Sequence, residues 1–236
     1  MDHAVGYAPA SIGSCRGSSL NMKDPEVRGA YEEARLKTEN GDVHAIERWY
    51  DEVGVKHWPN LENGCSSAAR RAVKLLEEFA DPSDELRVLD VGCCTGGMGS
   101  LLRKFASQWH LTGSDVSSEC LKEASLIFNE VVQSALPQLC LQDETFDIVI
   151  CVATICWGHA PPSSLSSLAR VLKPGGIMIT AHHIDDYERT GWGLPEAYQA
   201  LERVRLVRQE RGTYYHGQNP DDRTGIYMIY RKENTA

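Results

Sequence analysis

The chain has 236 residues, a formal net charge of -9 and a pI near 5.4, with 42% apolar and 24% charged residues. A chain of this length buries about 70 to 75% of the surface its unfolded form exposes, and the composition is that of an ordinary globular protein, so neither disorder nor a disulfide scaffold is expected. The acidic balance excludes a fold-wide basic surface of the kind that nucleic acid or an anionic membrane selects, and no stretch approaches the roughly 18 apolar residues of a membrane helix.

Residues 1–22 are rich in Gly, Ala and Ser without periodicity and read as a disordered tail, with no basic and apolar signal-peptide pattern. The eight cysteines therefore point to a reducing compartment, cytoplasmic or possibly nuclear. Asp24-Pro25 opens a helix that Asn40-Gly41 stops, and a second helical stretch carries Val43, Ile46, Trp49 and Tyr50. A loop with Trp58, Pro59, Asn63 and Gly64 leads to an amphipathic helix over Ser66 to Phe79.

From there strands and helices alternate. The pattern predicts strands at Arg87 to Val91, Leu111 to Val116, Thr145 to Ala153 and Ile177 to Ala181, with helices through Met98 to Phe105, Glu119 to Phe128 and Ser164 to Leu172. Parallel neighbours need such crossovers, so the sheet should be parallel and covered on both faces. After a helix from Glu196 to about Arg203, the β-prone runs Leu206 to Tyr215 and Ile226 to Tyr230 flank the turn-rich residues 217–222, which predicts a terminal antiparallel hairpin. Arg203, Arg205, Arg208 and Arg211 alternate with Glu202 and Glu210 and read as a solvated face.

Two constellations carry chemistry. In VLDVGCCTGG, residues 88–97, a strand delivers Asp90 and bends through Gly92 and Gly96 into a helix, as a backbone that must approach a cofactor does. In TGSDVS, Asp115 ends the next strand, where a carboxylate can accept both hydroxyls of a ribose. A nicotinamide dinucleotide and S-adenosylmethionine (SAM) both satisfy this arrangement.

ETFDIVICVATICW followed by LARVLKPGG, residues 168–176, resembles the later motifs of class I SAM-dependent methyltransferases, in the right order after the first two. The DPEVR helix, the RWYDE segment and the Gly158-His159 pair are similar to the vertebrate Williams-Beuren-region methyltransferase-like proteins. The resemblance implies a Rossmann-like, doubly wound α/β fold: a mostly parallel seven-stranded sheet with a C-terminal antiparallel hairpin. An N-terminal helical lid would span 23–65 and the methyltransferase domain 66–236.

It also implies that Asp90, Gly92, Cys93, Cys94 and Gly96 line the methionine part of SAM, with Cys151 and Val152 passing beneath it. Asp115 would hold the ribose, and Val116, Ser134, Ala135 and Leu136 would flank the adenine. Tyr50 would cover the cofactor, and LKPGG would form the turn before the fifth strand. Two positions depart from the family pattern: Cys94 stands where Gly is usual, in the turn or tucked into the core, and Ser134 replaces an Asp.

Methyl transfer from a sulfonium needs alignment and exclusion of water, and no metal. A hydroxyl acceptor profits from a base, for which His159 is the candidate, with His182 and His183 also expected beyond strand ends. Trp58, Trp157, Tyr187 and Trp192 line an acceptor pocket or are ordinary core aromatics, and Cys151, Cys156 and His159 lack zinc spacing. The expected function is methylation of a small-molecule acceptor, without nucleic acid or membrane. The alternatives are a catalytically degenerate SAM-binding partner subunit, a protein methyltransferase, and a NAD-dependent oxidoreductase.

Overall fold

The computed structural model describes residues 25–42, 44–55, 67–214 and 224–234. Helices α1 (Pro25–Glu39) and α2 (Ala45–Trp49) precede a π-helical turn, Tyr50–Gly54. Helix α3 (Ser67–Leu76) leads into β1 (Arg87–Val91), α4 (Gly97–Phe105), β2 (His110–Asp115), α5 (Ser118–Ala124), β3 (Glu130–Gln133) and β4 (Phe146–Val152). Then come α6 (Ser164–Val171), β5 (Leu172–His183), α7 (Ile184–Tyr187), α8 (Leu194–Gln199), β6 (Val204–Thr213) and β7 (Thr224–Lys232).

The seven strands form one sheet in the order β3-β2-β1-β4-β5-β7-β6, parallel except for β7, which runs antiparallel to β5 and β6. This is the expected Rossmann-like α/β architecture. Strand side chains alternate between two cores. Val88, Ile148, Ile150, Ile177 and Ile179 meet α3, α4 and α5, whereas Leu89, Val91, Val149, Cys151 and Met178 meet α6 and α8. Burial on both faces is why these strands read as apolar runs. Ala34, Ile46 and Trp49 form a separate small core within α1 and α2.

Several expectations are corrected. The sequence pattern missed β3, a four-residue edge strand whose side chains are only partly covered. Helix α5 ends at Ala124 because residues 125–128 fold into tight turns, and the Asn129 side chain then accepts the Leu111 N–H. Helix α3 likewise stops at Leu76 and α8 at Gln199. LKPGG is a wide bulge inside β5: Phe146 pairs with Leu172 and Ile148 with Ile177, so Lys173 to Gly176 oppose one residue. Asp24, residues 1–22, Trp58 with its loop and the 217–222 turn lie outside the described residues.

Lys232 anchors the terminal strand. Its buried ammonium donates to the carbonyls of Ala169, Arg170 and Leu172 at 3.0, 3.4 and 2.7 Å, at the C-terminal end of α6, and lies 3.3 Å from Glu144. The last carbonyls of a helix have no partners within it and carry partial negative charge, so a cation suits them. Lys232→Met strands these acceptors and is expected to cost about 2 to 3 kcal/mol. Thermal unfolding should show the midpoint lowered by about 5 to 10 °C; an unchanged midpoint would contradict the anchoring.

Candidate functional site

The site forms where β1 and β2 end side by side. Their register pairs Asp90 with Gly113 and Val91 with Ser114, so the turn after β1 lies against the last residue of β2. The Gly92 and Cys93 N–H groups both donate to the Ser114 carbonyl, at 2.7 and 3.0 Å. Gly92 sits at φ +75°, and a Cβ there would lie 2.0 Å from the Thr154 hydroxyl, so the position accepts only glycine. Thr154 in turn donates to the Val91 carbonyl at 3.1 Å, closing the gap between the ends of β1 and β4.

Asp115 is buried, and its two oxygens accept the N–H of Cys94 and of Ser117, each at 2.9 Å. Burial raises its carboxyl above the ordinary range, opposed by the N–H groups of Ser117, Cys94 and Val116. Asp90 is 3% exposed, and its Oδ2 has no hydrogen-bond partner among the described residues. Burial, then the charge of Asp115, pushes Asp90 up to about 8. A buried carboxylate oxygen left without a donor is a costly feature that an N–H or ammonium from a ligand would satisfy. No Arg or Lys is bonded to either aspartate among the described residues.

Other expected residues divide. The Cys93 side chain turns into the core beside Gly113 and Phe128, and Cys151 is fully buried on the other face, its thiol pushed up to about 12 by burial. These two can offer only backbone to a ligand. Cys94, at φ +48°, aims its sulfur at Cys120, the inward of the two expected arrangements. Ser134 spends its hydroxyl within its own loop, accepting from the Cys140 N–H at 2.9 Å and donating to the Gln138 carbonyl at 3.3 Å. Val116, Leu136 and Val152 are half-buried and Ala135 is exposed at the rim.

The N-terminal helices close over the β4 end. Tyr31 and Tyr50 each place a hydroxyl 3.2 Å from His159 Nε2. Arg35 donates through Nε and Nη2 to the Trp157 carbonyl at 2.8 and 2.6 Å, and Glu39 accepts the Gly158 N–H at 2.7 Å. Tyr31, Arg35 and Glu39 recur at four-residue spacing on one face of α1, a period legible in the sequence. Asp51 was also missed: it accepts the Ser117 hydroxyl at 2.5 Å and the Glu119 N–H at 3.3 Å, tying the π-helical turn to the start of α5.

His182 does not face an acceptor. It lies within β5, fully buried, with Nδ1 donating to the Ile155 carbonyl at 2.9 Å and Nε2 accepting from the Tyr198 hydroxyl at 2.6 Å. Burial lowers it to about 4, so it is neutral. His183 is the last residue of β5, its ring 5.7 Å from that of Tyr214. The guanidinium groups of Arg35 and Arg189 lie 5.1 and 4.8 Å from the Trp157 ring centroid, while Tyr187 and Trp192 pack against the core beside α8. Among the described residues no three His, Cys, Asp or Glu side chains are grouped to hold a metal ion, and no helix is long and apolar enough to cross a membrane.

Residues 89–180 match the family model "Methyltransferase domain". A protein of Aspergillus luteorubrus, "Probable methyltransferase ltbC", is 35% identical over 120 residues, 42% of this chain and 41% of its own. A fatty-acid O-methyltransferase of Mycolicibacterium smegmatis is 28% identical over 171 residues, 69% of this chain and 61% of its own. The chain thus spans about two fifths to three fifths of these relatives' length. The crystal structure of the [4+2]-cyclase SpnF superposes with a TM-score of 0.62 at 16% identity, covering 82% of this chain and 97% of that one, a likeness of fold alone.

The environment of Asp90 has a pH signature. Its folded value near 8 lies above the ordinary carboxylate value of about 4, so the native state holds the proton longer than the unfolded chain. The stability that Asp90 contributes is therefore fully present below pH ~4 and is lost as pH rises toward 8, by at most about 1.4 kcal/mol per pH unit. Asp90→Asn should flatten the decline of the thermal midpoint between pH 5 and 8; parallel curves for the two proteins would contradict the assignment.

Proposed function

From a chain that carries a methyltransferase domain of the class I fold, we propose an enzyme that transfers a methyl group from SAM to a small-molecule acceptor. The observation that carries this reading is the pairing of buried Asp90 and Asp115 at adjacent strand ends, with Asp51 alongside and no basic side chain bonded to the first two among the described residues. A bound cation would offset the burial and mutual repulsion that hold these carboxyls toward their protonated forms, and SAM brings a sulfonium and an ammonium. The pyrophosphate of a nicotinamide dinucleotide would meet carboxylates there, which weighs against the oxidoreductase alternative.

In this reading Asp115 accepts the ribose hydroxyls, Asp90 takes the ammonium, and the bare turn at Gly92 lets the chain approach the methionine part. SAM supplies an activated methyl group on sulfur, which an aligned nucleophile can displace directly. Tyr50 and Tyr31, with the Arg35 and Glu39 ties, keep water from the β4 end. His159 is the base: the two phenol hydroxyls at its Nε2 occupy the position an acceptor hydroxyl would take, so the site suits hydroxyl-bearing acceptors. A relative named as an O-methyltransferase agrees with that chemistry.

The second reading, a SAM-binding domain without catalysis, draws on Cys94 in the turn and on the occupied His159. Titration calorimetry separates them. Asp115→Ala should weaken SAM binding by at least about 100-fold, losing charge-assisted bonds to two hydroxyls; unchanged affinity, or tighter binding of NAD than of SAM, would overturn the proposal. His159→Gln should keep SAM affinity while release of S-adenosylhomocysteine with phenol acceptors falls by about 100-fold or more. Equal turnover would remove His159 as the base.

A further inference from the structure

Two thiols meet at the edge of this site. Cys94 belongs to the turn between β1 and α4 and Cys120 to the first turn of α5, and their sulfur atoms lie 3.7 Å apart. Cys120 is fully buried, whereas Cys94 is half-buried beside the site. Neighbouring Cys93 is not part of the pair, since its thiol turns to the Cys94 carbonyl, at 3.6 Å.

We propose that Cys94 and Cys120 form a reversible disulfide that closes the site to SAM, making the turn a redox-controlled element; this rests on the methyltransferase reading above. The oxidant class is a peroxide. The Cys94 sulfur attacks a peroxide oxygen, the O–O bond breaks and water leaves, giving a sulfenic acid. The Cys120 sulfur then displaces that hydroxyl as a second water. Two S–H bonds become one S–S bond, and two electrons pass to the peroxide.

Of the pair Cys94 is the partly exposed residue and Cys120 the fully buried one, which makes Cys94 the point of entry and Cys120 the resolving thiol. The hydrogen bond with Cys120, then burial, holds the Cys94 thiol above its ordinary range, so oxidation quickens as pH rises. Closing 3.7 Å to the roughly 2.05 Å of a disulfide draws the turn toward α5. The residue that moves is the one whose N–H holds Asp115 at 2.9 Å, so the bond distorts the carboxylate proposed to take the ribose.

The test treats the full chain with hydrogen peroxide at pH 8, maps linked peptides by mass spectrometry and measures SAM affinity by calorimetry before and after, then again after dithiothreitol. The expected result is a Cys94–Cys120 linked peptide short of two hydrogens, a SAM dissociation constant raised about tenfold or more, and full recovery on reduction. Cys120→Ala should bind SAM equally with and without peroxide. The inference falls if exposed Cys140 is oxidised while the pair stays reduced, or if the link forms and SAM binds as before. A reduced protein that binds no SAM would instead overturn the proposed function, and the closing of the site with it.

Discussion

The carboxylate of Asp115 is the fixed point of this molecule's functional end. It is held by the N–H groups of Cys94 and Ser117, so one side chain joins the turn after β1 to the start of α5. Asp51 reaches the same helix start from the N-terminal segment through the Ser117 hydroxyl, bringing a second acid to one place. Burial and proximity raise both Asp115 and Asp90, and the backbone donors compensate only the first. The arrangement is thus electrostatically uneven.

Two histidines near the β4 end sit in different surroundings. His182 is locked between the Ile155 carbonyl and Tyr198, where burial keeps it neutral and its bonds tie the segment after β4 to α8. His159, a few residues beyond that anchored carbonyl, meets two phenols from the N-terminal helices. The first fixes the floor of the β4 end, and the second sits where its roof closes. The Arg35 and Glu39 bonds to Trp157 and Gly158 bring α1 into the same arrangement, so helices and loop move only by breaking several bonds together.

The sheet was legible because doubly covered strands are apolar on both faces and lie between helices of clear period. Strand β3 was not, since four half-covered residues at an edge carry neither an apolar run nor a long alternation. His182 was misplaced because pairing with β7 extends β5 to His183, and long-range pairing leaves no local signal. Asp90 and Asp115 were legible from spacing. The inward turns of Cys93 and Cys94, the engaged hydroxyl of Ser134 and the approach of Asp51 depend on tertiary packing that no local pattern records.

The central claim is that an adenosyl group lies on the bend after β1 and against the end of β2. Hydrogen exchange of the full chain with and without S-adenosylhomocysteine tests it most directly, because it reads the backbone amides of the bend and of residues 115–117 themselves. The account predicts slowed exchange confined to residues 92–97, 115–117 and the covering Tyr50 segment, with the β6 and β7 hairpin unchanged. Protection elsewhere, or none at the bend when the ligand is saturating, would contradict it.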